Sequence, residues 1–296
     1  NHDGEGFTVL VTRTVKQPRP GSDDLQKAFE EGWVGTGGYV RARLTPHRTM
    51  TLDAGSRVDR ESLGEAASAS PWLLARWSPT DRWSVAAGAG LTWQIADLAL
   101  LPPPGVTPTP GLERARSADV STELRVSRTL ALQVSLYDRA EDGSLRYDRP
   151  QPRLVNGVVR TPPATNLWTN AIDVDARGVE MTLRRTAATG LVGWVSYGYG
   201  TTRATDRVTR VRYWADFDQR HQVNVYLSQR LGTRTNIGGK FRYGSNWPIP
   251  AYVAGTATAL VPSARRNEAR LPVYARLDLR ASRTFHWSTR RLTLFA

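Results

Sequence analysis

The stretch Ser117-Ala118-Asp119-Val120-Ser121-Thr122-Glu123-Leu124-Arg125-Val126-Ser127-Arg128-Thr129-Leu130-Ala131-Leu132-Gln133-Val134-Ser135-Leu136-Tyr137 decides the fold. Val120, Leu124 and Val126 alternate with Asp119, Ser121, Glu123, Arg125 and Ser127. After the tight turn at Arg128-Thr129, Leu130, Leu132, Val134 and Leu136 alternate with Ala131, Gln133, Ser135 and Tyr137. A period of two is the period of a β-strand with one apolar and one wet face. The wet face carries fixed charges of both signs. That pattern fits a sheet with lipid on one side and a water-filled or plugged lumen on the other.

The same alternation recurs along the chain. Val223, Val225 and Leu227 oppose Gln222, Asn224 and Ser228. Ala275, Leu277, Leu279 and Ala281 oppose Arg276, Asp278, Arg280 and Ser282, and Val179, Met181 and Leu183 oppose Glu180, Thr182 and Arg184. Alternation and turn chemistry predict thirteen strands, near 7–16, 35–45, 48–58, 71–78, 82–94, 117–127, 129–139, 174–185, 190–202, 219–230, 233–244, 272–285 and 290–296. Short connections alternate with long ones at 17–34, 59–70, 95–116, 140–173, 203–218 and 245–271. Tight turns on one side and long loops on the other are the habit of outer-membrane barrels. Two helical fragments are expected inside loops, one opening at Asp23-Asp24-Leu25-Gln26 and ending at Gly32, and one over Ile95 to Leu101.

The fold class expected is therefore all-β: an up-and-down antiparallel transmembrane β-barrel forming a single domain over 1–296. An odd number of strands in a meander leaves the first and last parallel, whereas single-chain bacterial barrels are even-numbered and plugged transporters have about 22 strands. The thirteen strands are thus expected to be part of a larger barrel, without its plug domain. The chain has no initiator Met and no apolar leader at its start, which fits either a removed signal or a chain that begins partway through a longer protein; the strand count favours the second.

Composition agrees with this class and narrows others. Apolar residues make up 40%, and no run reaches the 18 or more needed for a spanning helix. Only alternate residues of a barrel strand face lipid, so this average does not argue against a membrane. Ten Trp and ten Tyr, often near strand ends, fit an interfacial girdle. The absence of cysteine excludes disulfides and thiolate metal sites. His2, His47, His221 and His286 are too scattered for a metal site, and no cofactor is expected. The net charge is +13, carried by 37 Arg against three Lys. These basic residues are spread over many strands rather than gathered in one stripe, which argues against a nucleic-acid partner. Arg grips phosphate bidentately, so contact with phosphorylated lipid headgroups is open to it, and a GC-rich genome would give the same bias.

Several motifs together resemble TonB-dependent outer-membrane receptors. Ser70-Pro71-Trp72-Leu73-Leu74-Ala75-Arg76-Trp77-Ser78-Pro79-Thr80-Asp81-Arg82 resembles a strand–turn–strand unit of that family, and Arg57-Val58-Asp59 the end of an earlier strand. Ala215-Asp216-Phe217-Asp218-Gln219-Arg220-His221 is similar to the family's Asp-Gln-Arg-His strand start. Arg242-Tyr243-Gly244-Ser245-Asn246-Trp247-Pro248 is similar to its Ser-Gly-x-Pro loop, with Asn246 where Gly is usual. Leu271 to Arg280 resembles a strand near the barrel's end. No plug, TonB box or final strand with a terminal aromatic is visible. The resemblance implies the later part of a barrel that takes up a scarce solute such as an iron chelate, cobalamin or oligosaccharide. Its implied setting is the outer membrane of a Gram-negative bacterium, among lipid and lipopolysaccharide. Its implied partners are a plug domain of the same polypeptide and, through that plug, the TonB energy complex. The alternatives are a passive porin-like channel and an outer-membrane hydrolase. No Gly-x-Ser-x-Gly nucleophile motif supports the hydrolase, and no enzyme activity is expected.

The candidate site residues fall in two sets. Asp218, Gln219, Arg220 and His221 lie where a long loop becomes a strand; they are either a ligand-facing rim or a charged network that pins the loop base. Trp247, Arg146 and Tyr147 are the loop candidates for ligand contact, Trp247 having a membrane-interface reading beside it. The expected lumen-facing charges are Arg41, Arg43, Asp53, Arg57, Arg76, Glu123, Arg125, Glu180, Arg184, Lys240, Arg242, Arg276, Asp278 and Arg280, which line a solute path or simply face lumen water. Specificity is expected in the loops 140–173 and 245–271, because loops on a rigid scaffold carry function.

Overall fold

The computed structural model describes residues 11–16, 30–61, 67–94, 110–147, 151–163 and 168–296. Among them there is no helix; the expected fragment at 95–101 and residues 23–29 of the one expected to end at Gly32 lie outside the described residues, while residues 30–32 are strand in β2. The strands are β1 (Val11–Lys16), β2 (Glu30–His47), β3 (Met50–Glu61), β4 (Ala67–Thr80), β5 (Trp83–Gln94), β6 (Glu113–Arg125), β7 (Leu130–Tyr147), β8 (Arg153–Val155), β9 (Val158–Arg160), β10 (Trp168–Arg185), β11 (Leu191–Asp206), β12 (Arg212–Trp214), β13 (His221–Leu231), β14 (Thr235–Gly244), β15 (Val253–Thr256), β16 (Ala259–Pro262), β17 (Tyr274–Trp287) and β18 (Arg290–Phe295).

Thirteen of these form one antiparallel meander, in the order β1-β2-β3-β4-β5-β6-β7-β10-β11-β13-β14-β17-β18. They are the thirteen strands that alternation predicts. β12 adds to β11 beyond the point where β13 leaves it. The pairs β8-β9 and β15-β16 are separate small hairpins inside the loops after β7 and β14.

Register sorts the side chains. Residues directly opposite in an antiparallel pair share a face. One rung runs Leu277–Phe241–Val225–Val195–Leu183–Leu132–Leu124–Trp83 across eight strands. The adjacent rung, on the other face, runs Arg276–Arg242–Asn224–Ser196–Thr182–Gln133–Glu123–Ser84. All fourteen charges expected to face a lumen fall on the second, polar face. A one-residue slip would exchange the two faces, so the pattern fixes the register. On the polar face large rings lie against small neighbours. Tyr137 covers Gly178 and Gly200, where an added Cβ would stand 2.6 and 2.5 Å from its hydroxyl oxygen. Such close approach is what a strand glycine permits.

The strands differ from expectation at their long-loop ends. β7 runs eight residues past its expected end, β10 starts six residues early, and β11 continues to Asp206. The connection expected as a long loop at 59–70 is mostly strand, with β3 reaching Glu61 and β4 starting at Ala67. The cause is that alternation reports lipid contact. Beyond the apolar band both faces are wet, so the pattern stops while the backbone ladder continues.

Candidate functional site

The long-loop end is where the described residues build a packed core. Val174, Ala204 and Ala215 are buried together, with Ile172 and Tyr213 against them. Asn267, Asp218 and Pro248 are fully buried side chains. The segment 215–220, leading into β13, is fastened to the loop between β14 and β17 by two carboxylates.

Asp218 is the first. Its Oδ1 accepts the backbone N–H of Thr202 at 2.8 Å, and its Oδ2 accepts Arg270 Nη2 at 2.6 Å and Arg220 Nε at 3.3 Å. Arg270 Nη1 also donates to the carbonyls of Asp218 and Asn246, both at 3.0 Å. Asp216 is the second. It takes Arg266 Nη2 on both oxygens, at 3.1 and 3.0 Å, and Asn267 Nδ2 at 2.6 Å. Asn267 also donates to the Trp214 carbonyl at 2.7 Å and holds a left-handed backbone, φ 60°. Asn adopts that region more readily than most residues. Between the two carboxylates, Phe217 is 56% exposed.

The structure divides the tetrad Asp218–His221. Asp218 and Arg220 belong to the buried network, and Arg220 also lies over the Trp214 ring at 4.0 Å. Gln219 donates to the Ser245 carbonyl at 2.9 Å. His221 lies on the other face, its Nδ1 2.9 Å from the Tyr197 hydroxyl and its ring 5.0 Å from that of Tyr199.

Arg146 and Tyr147 come together with the loop network. A cavity of about 450 Å³ is walled by Arg146, Tyr147, Trp168, Tyr213, Phe217 and Arg266 among others. A second, of about 240 Å³, shares Arg146, Tyr147, Tyr213 and Arg266 and adds Arg153, Thr209 and Tyr252. Arg146 is aimed by Asp206, whose Oδ2 accepts its Nε at 2.8 Å. The other Asp206 oxygen accepts the N–H of Val208 at 2.8 Å and of Thr209 at 3.0 Å, which closes the turn after β11. Burial raises the Tyr213 phenol above its ordinary value; nearby Arg266 opposes this. Among the described residues, Arg266 Nε and Thr209 Oγ1 are buried without a hydrogen-bond partner behind this wall. Phe217 also lines a third space, of about 230 Å³, with Tyr137, Glu180, Gln219, Gln222 and Asn224 of the polar face. It therefore stands between the outer cavity and that face. Trp247 is 44% exposed and borders none of these three cavities.

The charges of the polar face are mostly paired locally. Arg41 and Arg43 both bind Asp53, Arg57 binds Asp59 at 2.7 Å, and Arg276 binds Asp278 at 2.9 Å. Glu123 is 3.7 Å from Arg125. Lys240 lies 6.0 Å from the centre of the Tyr226 ring, and Arg280 lies 5.1 Å from that of Phe295.

The TonB dependent receptor-like, beta-barrel family matches residues 12–296. The chain belongs to that family. Its fold is shared with solved structures at low identity. The FrpB iron transporter from Neisseria meningitidis (F5-1 variant, apoprotein form) superposes with a TM-score of 0.62 at 16% identity, over 85% of this chain and 38% of that one. The ferripyoverdine receptor of the outer membrane of Pseudomonas aeruginosa, bound to ferripyoverdine, gives 0.61 at 15%, over 86% and 33%. The copper transporter OprC gives 0.61 at 13%, over 92% and 44%. The chain thus spans between a third and a half of the solved receptors it matches. The thirteen-strand meander is a partial TonB-dependent receptor barrel.

Asp206, Tyr213, Asp216, Arg266, Asn267 and Arg270 were not among the residues singled out from sequence. A signal was present. The run Arg265-Arg266-Asn267-Glu268-Ala269-Arg270 is too charged for a simple turn, and Asp216 and Asp218 call for cations from elsewhere.

Proposed function

We propose that this chain forms part of the wall and outer mouth of a TonB-linked uptake receptor in the outer membrane of a Gram-negative bacterium. Its polar face lines the lumen, and its outer cavity takes a scarce solute before a plug domain moves. The observation that carries the reading is the cavity wall of Arg146, Arg266, Tyr147, Trp168, Tyr213 and Phe217. There Arg146, held by Asp206, and Arg266, held by Asp216, stand among four aromatic rings. Cationic donors beside aromatic faces suit an anionic chelate better than a neutral sugar. The iron and ferripyoverdine receptors that share the fold support a metal chelate as the solute class. The polar-face charges, Glu180 included, then lie on the route inward past Phe217.

The test is binding by the native protein. Calorimetry with ferric hydroxamates, ferric catecholates, cobalamin and maltooligosaccharides identifies the class. Arg146→Ala should weaken the ligand that binds by about 10-fold or more, as loss of a hydrogen bond to a charged group does. If every ferric chelate fails to bind while cobalamin or an oligosaccharide binds, the solute class is wrong. If Arg146→Ala and Phe217→Ala together leave affinity unchanged, recognition does not use this cavity.

A further inference from the structure

The two ends of the wall hold their arginines differently. Toward the long loops, Arg114, Arg116, Arg139 and Arg207 each lie within 3.5 Å of a carboxylate. At the other end six tight turns join the strands, within 46–50, 78–83, 125–130, 184–191, 229–235 and 286–291. These segments hold ten arginines and one carboxylate, Asp81. They thus carry nine of the chain's thirteen net positive charges. Among the described residues, Arg125 alone of the ten has a carboxylate within ion-pair distance, Glu123 at 3.7 Å.

Two recesses open on this rim. One, of about 710 Å³, is walled by Arg48, Arg76, Arg82 and Arg125, with Asp81, Glu123 and serine and threonine hydroxyls between them. The other, of about 420 Å³, is walled by Arg230 and Arg234 with Ser228, Asn236, Ser282 and Thr284. Both have the size of ligand sites. Register puts Arg76, Arg125 and Arg230 on the polar face, opposite Thr51, Ala131 and Asn236. Lipid against the apolar face does not reach them. β5 and β11, one at each recess, are four strand spacings apart, about 19 Å along the sheet. One small ligand cannot fill both. The turn tips are Arg, Ser, Thr, Gly, Ala and Pro, with His47, Asp81 and Leu231 besides. A folded protein partner is held by clustered aromatic and apolar anchors, and these tips supply no such cluster. What they offer is a row of unpaired guanidiniums and hydroxyls, repeated from turn to turn.

We infer that this rim binds the carboxylate-bearing peptide stems of the cell-wall glycan, lodging them in the recesses around Arg82 and Arg234. The inference rests on the proposed function for placing the tight turns in the periplasm, where that polymer lies. Guanidinium forks match carboxylates bidentately. Asn236 and the hydroxyls beside them suit the amides of the stems and the hydroxyls of the sugars. Each exposed contact is weak alone. Contacts repeated along one extended polymer reinforce one another, because each bound stem holds the next at high effective concentration. The wall is then fastened to the layer beneath it by charge, whatever solute passes through.

The test uses the native protein in mild detergent and sacculi, the intact cell-wall polymer stripped of protein. Co-sedimentation reads binding. Arg48→Gln/Arg82→Gln/Arg230→Gln/Arg234→Gln should weaken it at least tenfold. All four side chains are exposed, heat-modifiable migration checks folding, and either pair alone serves if the fourfold variant does not fold. Arg160→Gln/Arg210→Gln, in the long loops, should change nothing. Sacculi whose stem carboxylates have been amidated should bind the unmodified protein as weakly as untreated sacculi bind the variant. Soluble glycan fragments with stems should displace the protein at lower carboxylate concentration than polyglutamate does. Equal binding by the fourfold variant, or of amidated sacculi, would overturn the inference. The reverse order of displacement would also overturn it and assign the rim to an acidic peptide. The chain has no cysteine, so Thr289→Cys gives a single thiol at a turn tip. In whole cells it should react with a membrane-impermeant reagent only after the outer membrane is opened. Labelling of intact cells would overturn the orientation and this inference together. Labelling only after opening, with sacculi left unbound, would overturn this inference alone.

Discussion

The wall and the loop cap of this molecule solve the problem of stability in opposite ways. In the wall, Leu277 and Leu279 are 62% and 74% exposed, and Phe241, Val195, Leu183 and Leu124 on the same rung as Leu277 are also exposed. Nothing among the described residues covers them, as expected of a barrel face completed by lipid. In the cap, Asp218, Asn267 and Pro248 are buried and the side chains complete one another. The wall is specified by period and register, the cap by individual partners. One substitution in the cap should therefore release a loop and leave the barrel standing, whereas one in the wall should act through the membrane.

The sharpest way to break that comparison is Asp218→Ala. It strands Arg270 and Arg220 and removes the acceptor for Thr202 N–H. Breaking a buried ion pair on one side costs about 3–5 kcal/mol. Limited proteolysis should cut within 245–271 much faster, while heat-modifiable migration of the barrel stays unchanged. Loss of both would show that cap and wall are one cooperative unit. The next effect belongs to the wall. Val225→Arg places a charge in the apolar rung and should cost about 2–4 kcal/mol if Val225 sits near the bilayer midplane. Asn224→Arg, one residue away on the polar face, should cost far less. Denaturant titration in lipid vesicles separates them, and equal costs would refute the assignment of faces.

Asn267→Ala comes third. It deletes bonds to Trp214 O and Asp216 Oδ1 and puts a Cβ residue without a polar side chain at φ 60°. About 1–3 kcal/mol of local stability should go, as for other lost buried hydrogen bonds. Hydrogen exchange of the amides of Ala251 and Asn267 reads it, and Asn267→Gly should recover the backbone part of the loss. The smallest effect is on pH. Burial holds the Tyr213 phenol above its ordinary value of 10.0. The neutral phenol is the folded form, so its contribution to the cap is complete below pH 10 and is lost as pH rises through the raised value. Phenolate absorbance should show a step later than that of the exposed tyrosines, and Tyr213→Phe should reduce it. Simultaneous ionisation of all ten would contradict the burial.

The same contrast explains what was legible in the sequence. All thirteen wall strands follow from alternation, because lipid on one face imposes a rule on every second residue. The polar-face charges were equally legible, since the same rule places Glu180 and Arg184 opposite Val179 and Leu183. The cap obeys no period. Asp206 aims Arg146 from sixty residues away, and Asn267 reaches Trp214 from fifty-three. Pairings at that distance are set by how the loops cross above the strands, which no local pattern records. The strand ends were missed for a different reason: both faces are wet there, so alternation stops before the ladder does. Arg146 and Tyr147 were chosen from a loop rich in Arg and aromatics, yet they stand at the end of β7, on the ladder itself.

Phe217 carries a consequence for the thermodynamics of capture. It is flanked by Asp216 and Asp218, each tied to the loop between β14 and β17. The segment that presents the ring has already lost its conformational freedom when the chain folds. Under the proposed function, a solute entering the cavity would meet a preformed surface and bear little ordering cost of its own. Calorimetry over a range of temperatures should then give a heat-capacity change matching burial of the solute and cavity walls alone, without the extra decrement of a segment folding around its ligand. Asp216→Ala should restore that decrement, because the ring would again have to be ordered by the solute it holds.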